Sequence, residues 1–372
     1  LSSARPVSHR AYAEHMALFS RRPKKNSDGS DEVPVDAQAD VSDVQQDVSA
    51  AVAAEQADAE DVPFVPISMS TYGQPVPPPV QQRLPQVEET APERTEGRPG
   101  MPDNSLLLAA LMEAPEEPDN AAILGVTRQA LQGTLYLRIM GDAQAQVAAG
   151  EPLRLAISIM NDKKFLLAYT GAAALQAGLG DDPEAANTSV LGQPAQNVLR
   201  NVVDAGYDGI VFDHAGPGRR IILPTGLVSR ALDQADPDFT IKNLLAGPRT
   251  PETARAVVDA LVARGAWIAA GSRPDGSMGV AEARSAEGTR YLQVFSHPLE
   301  ILTLRREDQP MPLTAAQLGE ALKSEPELSG FLVDAAGPWI RLEREELDPL
   351  ITIADAAETV DAAAESTEPD ED

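Results

Sequence analysis

Two aspartates, Asp213 and Asp334, stand in nearly identical surroundings and are the side chains whose position best suits chemistry. The stretch "GIVFDHAGP" begins at Gly209, and "GFLVDAAGP" begins at Gly330. In each stretch three apolar residues lead to the aspartate, so the pattern predicts a strand, a turn and a second strand. A carboxylate at a strand end, beside free backbone groups of a turn, could line the rim of a binding groove.

The same pattern also has a structural explanation. Aspartate can accept N–H groups of a turn, glycine tolerates a positive φ, and proline fixes the direction in which the chain leaves. The candidate set is therefore interpreted as a binding rim or a structural turn. With the residues that end the preceding strand, it comprises Asp213, Gly216, Pro217, Asp334, Gly337, Pro338, Tyr169, Thr170, Phe295 and Ser296.

Catalytic and metal-binding patterns are sparse. Asp213 and His214 could form an orienting carboxylate and a base, but adjacent side chains at a strand end point apart. The chain has four histidines and no cysteine. His214 and His297 correspond to Ala335 and Gly171 in the other half, which argues against a shared metal or catalytic role. We predict no catalytic, cofactor-binding or metal-binding residues.

The similarity between the two halves extends beyond the turns. "LQGTLYL" from Leu131 matches "ARGAWIA" from Ala263, and "KFLLAYT" from Lys164 matches "RYLQVFS" from Arg290. Hairpin-linked strands beside separate helices indicate the α+β class. We predict an α+β protein made of two tandem copies of a helix-β-β-β-helix-helix-β-β-helix unit with mainly antiparallel sheets.

Local signals place the helices of each unit. Thr250 is predicted to be an N-cap with Pro251 in the first helical turn, and Pro194 is predicted to occupy the same early position in the first half. Thr314 and Gln317 have the spacing of a capping box. These signals predict amphipathic helices that begin close to the named residues.

The ends of the chain differ in composition from its centre. Residues 26–100 and 353–372 are rich in acidic residues, and the longer segment is also rich in proline. Residues 1–25 are basic. The whole of 1–100 and 353–372 is predicted to be disordered. Met16 is a possible natural start. The two repeated units are predicted at 101–235 and 248–352.

Charge limits the possible partners. The formal net charge is −27 at pH 7, and an acidic surface repels nucleic-acid backbones. No apolar run is as long as a membrane span requires. We therefore expect a cytoplasmic protein that neither binds nucleic acid nor inserts into membranes.

The aromatic-hydroxyl strand ends, Tyr169-Thr170 and Phe295-Ser296, occur with an amphipathic helix and with "DGIVFDHAGP" followed by "IILP". This combination resembles the SseB N-terminal-domain family, named for enhanced serine sensitivity. The resemblance covers about 115–235 and 250–350. It implies the fold and a binding role without cofactors.

Three functional hypotheses follow. The first is a non-catalytic tandem SseB-like module that binds a protein or peptide, with two similar grooves available to a bivalent partner. The alternative is an uncharacterised hydrolase or transferase that uses the acidic loop rim. A third possibility is that "PVPPPVQQRLP" from Pro75 is itself a ligand for a proline-binding groove.

Overall fold

The computed structural model describes residues 88–180, 185, 187–216, 218–272 and 278–365. Within these ranges the protein is α+β, as predicted. The helices are α1 (Ser105–Glu113), α2 (Asn120–Ala130), α3 (Ala143–Ala148), α4 (Ala172–Leu179), α5 (Ala195–Asp204), α6 (Thr225–Asp233), α7 (Thr240–Ala246), α8 (Thr253–Arg264), α9 (Pro298–Leu302), α10 (Ala315–Ser324) and α11 (Asp348–Glu365), with a 3₁₀ turn at Arg344–Leu347. The strands are β1 (Glu96–Arg98), β2 (Met101–Pro102), β3 (Thr134–Met140), β4 (Ile157–Met160), β5 (Lys163–Tyr169), β6 (Thr188–Pro194), β7 (Gly209–Phe212), β8 (Ile221–Pro224), β9 (Ala266–Ser272), β10 (Met278–Val280), β11 (Glu282–Arg284), β12 (Arg290–Phe295), β13 (Gln309–Leu313), β14 (Leu328–Val333) and β15 (Ile340–Glu343).

Two larger sheets follow one another along the chain. The first has the order β6-β3-β5-β7-β8, with β4 also paired to β5. The second contains β13, β9, β12, β14 and β15 in the matching order, with β10 paired to β9 and β11 paired to β12. Corresponding strands therefore occupy corresponding places, while the tandem origin of the halves stays a prediction. Most pairs are antiparallel, but each sheet contains one parallel pair, β5 with β7 and β12 with β14.

The predicted unit lacks elements that the structure contains. An edge strand lies between the second and third predicted helices of each unit, β6 in the first half and β13 in the second. Their sequences, "TSVLGQP" and "QPMPL", contain the Gly and Pro residues that indicate a loop, although edge strands tolerate them. Helix α3 was also not predicted, and Pro194 ends β6 instead of standing inside α5.

Strand pairing corrects the alignment of the two halves by one residue. Tyr136 pairs with Tyr169 across the first sheet, and Trp267 pairs with Phe295 across the second. Because Tyr169 and Phe295 correspond, Tyr136 corresponds to Trp267, whereas the sequence match placed Leu135 there. This shift determines which edge positions correspond.

Apolar side chains are buried on both faces of each sheet. Helix α8 contributes Val257, Val258 and Leu261 to the second half, as its periodicity predicts. It begins at Thr253, so the predicted N-cap Thr250 is wrong by two positions. The capping box of Thr314 and Gln317 is confirmed.

The prediction that the C-terminal tail, 353–372, is disordered is wrong for most of its length. Helix α11 continues to Glu365, and Leu350 and Ala354 are buried against the body of the protein. Helix α10 approaches it so closely at Gly319 that an added Cβ would lie 2.1 Å from the Leu350 carbonyl oxygen. The alanines and glutamates of this stretch have favourable helix propensity, and the packing of Leu350 and Ala354 holds the helix on the body of the protein. Residues 366–372 lie outside the described ranges.

The predicted disordered N-terminal region needs a similar correction at its end. Residues 88–100 are placed in the structure, and β1 pairs with β2 immediately after them. The remainder of that region lies outside the described residues. No helix in the described ranges is both long enough and apolar enough to cross a bilayer.

The two halves share a contact surface. Helix α9 of the second half packs beside α2 of the first, and Leu299 from α9 is buried in the core of the first half. Helix α7 precedes the predicted second unit but places Ile241 and Leu245 in the second core. The second core therefore begins before position 248.

Candidate functional site

The Asp213 carboxylate, at the end of β7, is hydrogen-bonded to Thr170, at the end of the neighbouring strand β5. Its Oδ1 accepts the Thr170 N–H at 2.8 Å, and its Oδ2 accepts the Thr170 hydroxyl at 2.6 Å. The Asp213 carbonyl accepts the Gly216 N–H at 2.8 Å. Strands β5 and β7 are parallel neighbours, so their carboxyl ends bring the hydroxyl residue and the aspartate together.

Asp334 repeats this geometry in the second half. Its carboxylate accepts the Ser296 N–H at 2.7 Å and the Ser296 hydroxyl at 2.6 Å, and its carbonyl accepts the Gly337 N–H at 2.8 Å. Asp213 and Asp334 both have positive φ angles, 43° and 56°. The left-handed conformation is one that aspartate tolerates better than most residues. The structure thus joins the predicted site residues Thr170 with Asp213 and Ser296 with Asp334.

Both carboxylates lie inside the protein and not on an open rim. Asp213 is 1% exposed and Asp334 is 2% exposed. Burial raises the pKa of Asp213 above its usual value. Burial, together with the nearby Glu300 carboxylate, raises the pKa of Asp334 to about 7. The contacts of Asp213 and Asp334 are those of a structural turn. Pro217, the remaining member of the first turn, lies outside the described residues.

The preceding aromatic residues differ between the halves. Tyr169 is fully buried, and its hydroxyl has no hydrogen-bond partner among the described residues. Its ring lies 5.7 Å from the half-buried His214 ring, and burial raises the pKa of Tyr169 to about 12. The second half has Phe295 and Ala335 at these places and therefore no polar atoms there. The first half buries a polar pair where the second is apolar.

A buried ion-pair cluster that the sequence did not reveal joins the halves. Glu300 on α9 is 1% exposed and pairs with Arg128 of α2 at 2.9 Å and with Lys242 of α7. Arg128 also donates to the Gly337 carbonyl at 2.8 Å. Burial alone would raise the pKa of Glu300, but Lys242 and Arg128 hold it below its usual value. The turn around Asp334 is therefore tied to the first half through charge.

His297, interpreted from sequence as lacking a shared metal or catalytic role, caps a helix at this junction. Its Nδ1 accepts the Leu299 N–H at 3.0 Å, so Nε2 carries the proton and donates to the Ala231 carbonyl at 2.9 Å. Burial lowers the pKa of His297 to about 4. The neutral His297 thus bridges α9 to α6 of the other half. Its partner Ala231 is 66 positions away in sequence, so the sequence around His297 could not indicate this role.

The N-terminal arm, defined as residues 88–103, runs past the second turn. The Glu89 carbonyl accepts the Trp339 N–H at 3.0 Å, and the Arg249 guanidinium donates to the Glu89 and Trp339 carbonyls at 3.0 Å each. Arg94 donates to the Ala246 carbonyl at 3.1 Å. The backbone at Trp339, just after the Asp334 turn, is therefore already in contact with the N-terminal arm.

An unpaired sheet edge lies in the first half, along β6. Ala195 donates its N–H to the Gly133 carbonyl at 2.9 Å, and Val190 lies opposite Arg138, whose carbonyl accepts from Ala156 on the other side of β3. Because antiparallel residues alternate between the two sides, the N–H and C=O groups of Val190 and Gly192 point away from β3. Among the described residues no strand pairs with them.

The corresponding edge of the second half is closed by proline. Pro310 lies opposite Ala269, whose carbonyl accepts from Ala281 on the far side of β9, and Pro312 lies two residues further along. With the corrected alignment, Pro310 corresponds to Val190 and Pro312 to Gly192. Proline has no N–H, so its presence at these outward positions prevents pairing with a further strand.

The described residues contain no group of three or more histidine, aspartate or glutamate side chains that could hold a metal ion. No family model, curated protein or solved structure matches the chain. The SseB resemblance therefore stays a prediction from sequence.

Proposed function

We propose that the chain is a non-catalytic binding module that takes up an extended segment of a protein or peptide along the open edge of β6. The observation that carries this proposal is the contrast between the two edges. Val190 and Gly192 offer N–H and C=O groups that no described strand pairs with, whereas Pro310 and Pro312 remove the donors at the corresponding positions. Open edges invite strand addition, and proteins commonly block the edges that must stay unpaired.

Strand addition uses main-chain hydrogen bonds for affinity and alternate side chains for selectivity. Each net hydrogen bond contributes about 1 kcal/mol, so pairing along Val190 and Gly192 alone supports weak to moderate affinity. Since only one of the corresponding edges is open, we expect one peptide per chain. A bivalent partner bound at two equal grooves is not favoured.

The alternative of a hydrolase or transferase with an acidic rim is less well supported. Such an enzyme needs carboxylates that a substrate can reach, but Asp213 and Asp334 are enclosed and hydrogen-bonded to Thr170 and Ser296. The SseB-like assignment and the cytoplasmic location remain parts of the proposal that rest on sequence.

A matched pair of variants tests the proposal. Val190→Pro removes the outward N–H and copies the second half, whereas Val190→Thr keeps the N–H and the β-branched shape. Peptides selected from a random display library on the full chain would be titrated against both variants by fluorescence anisotropy. We expect Val190→Thr to bind like the wild type and Val190→Pro to bind roughly tenfold more weakly.

Folding must be unchanged for this comparison to be informative. Val190 has no hydrogen bond to β3, so Val190→Pro should keep the thermal midpoint close to that of Val190→Thr. Leu191→Pro, which removes a ladder donor, should lower it clearly. Equal peptide affinity of folded Val190→Pro and Val190→Thr would refute strand addition at β6.

A further inference from the structure

The chemistry of the segment that occupies the β6 edge can be specified further, and this step rests on the function proposed above. Val190 is 38% exposed and is one of the exposed large apolar side chains among the described residues. It lies in the middle of the edge, beside the outward backbone groups. A cross-strand neighbour of Val190 would cover it best with an apolar side chain.

An acidic group stands at the N-terminal end of the same edge. Ser189 accepts the Ala143 N–H at 3.1 Å and donates to the Gly141 carbonyl at 3.1 Å, which attaches the segment around Asp142 to β6. The exposed Asp142 carboxylate caps α3 by accepting N–H groups through Oδ1. A strand added along β6 would therefore bring its side chains close to this carboxylate.

The net charge of the chain also favours a basic partner segment. The formal net charge of −27 attracts basic segments and repels acidic ones as they approach. We infer that the β6 edge binds an extended basic segment of a separate polypeptide, which places an apolar residue opposite Val190 and a lysine or arginine near Asp142. A proline at the positions that donate to the Val190 and Gly192 carbonyls is excluded.

Synthetic peptides of about eight residues separate charge from backbone pairing. One alternates valine with lysine, a second alternates valine with glutamate, and a third is the lysine peptide with N-methyl groups on alternate residues. Each is titrated against the full chain by fluorescence anisotropy. We expect the lysine peptide to bind at least roughly tenfold more tightly than the other two, and its advantage over the glutamate peptide to shrink as salt is raised.

Variants of the chain complete the test. Asp142→Asn keeps a capping side chain for α3 and should weaken the lysine peptide by roughly threefold with little effect on the glutamate peptide. Val190→Pro should weaken the lysine peptide and Val190→Thr should not. A variant with serine in place of Arg21, Arg22, Lys24 and Lys25 should leave the affinity unchanged at raised salt, where its added net charge is screened.

The outcomes distinguish the two levels of the argument. If lysine and glutamate peptides bind equally and both are lost in Val190→Pro, the basic partner is refuted while strand addition stands. If the lysine peptide binds Val190→Pro as well as the wild type, binding is general charge attraction and both proposals fail. If the serine variant binds the lysine peptide more tightly even at raised salt, the occupant is the chain's own basic segment and the assignment to a separate polypeptide is overturned.

Discussion

Replacing Asp334 by asparagine should make the protein more stable at neutral pH. Asparagine retains an oxygen that can accept the Ser296 N–H, and its amide can donate to the Ser296 hydroxyl oxygen. The substitution therefore keeps the turn while removing a carboxylate that is 2% exposed and lies near Glu300. What changes is the charge that must be buried when the protein folds.

The sign and size of the stability gain in Asp334→Asn follow from the pKa of Asp334. Burial raises this pKa from an ordinary 3.8 to about 7, so the folded state keeps the proton when the unfolded state has lost it. The carboxyl imposes no penalty below pH 3.8, and its penalty grows as pH rises to about 7 and is constant above that. The full penalty is about 4 kcal/mol, at 1.36 kcal/mol for each tenfold change in proton affinity.

Urea unfolding of the wild type and Asp334→Asn across pH 4.5 to 8 measures this contribution directly, over roughly the interval in which the linkage acts. The gain in unfolding free energy of the variant should increase steadily up to about pH 7 and then level off. Ser296→Ala serves as the control: it keeps the carboxylate and removes a hydrogen bond that lowers the pKa of Asp334, so the pH dependence should be at least as large as in the wild type. A difference between wild type and Asp334→Asn that is independent of pH, or that reverses sign above pH 7, would refute the buried-carboxyl argument.

Three further substitutions probe the polar groups that the fold encloses. Glu300→Gln leaves two buried cations without a carboxylate and should lower the unfolding free energy by about 3 to 5 kcal/mol, measured by urea titration at pH 7; an unchanged midpoint would mean that the junction contributes little. His297→Asn should remove a loss of stability that the wild type suffers as pH falls from about 6.5 towards 4, because the lowered pKa of His297 makes the buried neutral form the stable one; parallel pH profiles of the two proteins would contradict this. Tyr169→Phe deletes a buried hydroxyl that has no partner in the described part of the chain, so it should raise the unfolding free energy by about 1 kcal/mol and with it the thermal midpoint; a lower midpoint would show that the hydroxyl is satisfied in solution.

The sequence was informative wherever a signal is local. The strand-turn-strand pattern around Asp213 and Asp334, the capping box at Thr314 and the helical stripe of α8 all depend on residues a few positions apart. The class of the fold followed from their order. The edge strands were missed because their Gly and Pro residues indicate a loop unless a neighbouring strand is known.

The candidate site was harder to predict because its contacts are distant in sequence. Glu300 meets Arg128 across 172 positions, and neither residue stands in a motif. Helix α11 was missed because its packing against α10 depends on the close approach at Gly319, which has no sequence signature of its own. Asp213 and Asp334 were correctly singled out as a pair, but a motif cannot state which side of a strand end faces the solvent.

The two halves have the same strand order but carry different residue types at the sheet edge and on the buried sheet face. In the second half, prolines close the edge and Phe295 and Ala335 keep the sheet face apolar. In the first half, the edge donors at Val190 and Gly192 are open, and Tyr169 and His214 place polar groups beneath α4. An open edge costs solubility because it can pair with other chains, and of the two corresponding edges only that of the first half is open among the described residues. This asymmetry supports the proposal that the peptide binds to the first half, which Glu300 and His297 join to the second half.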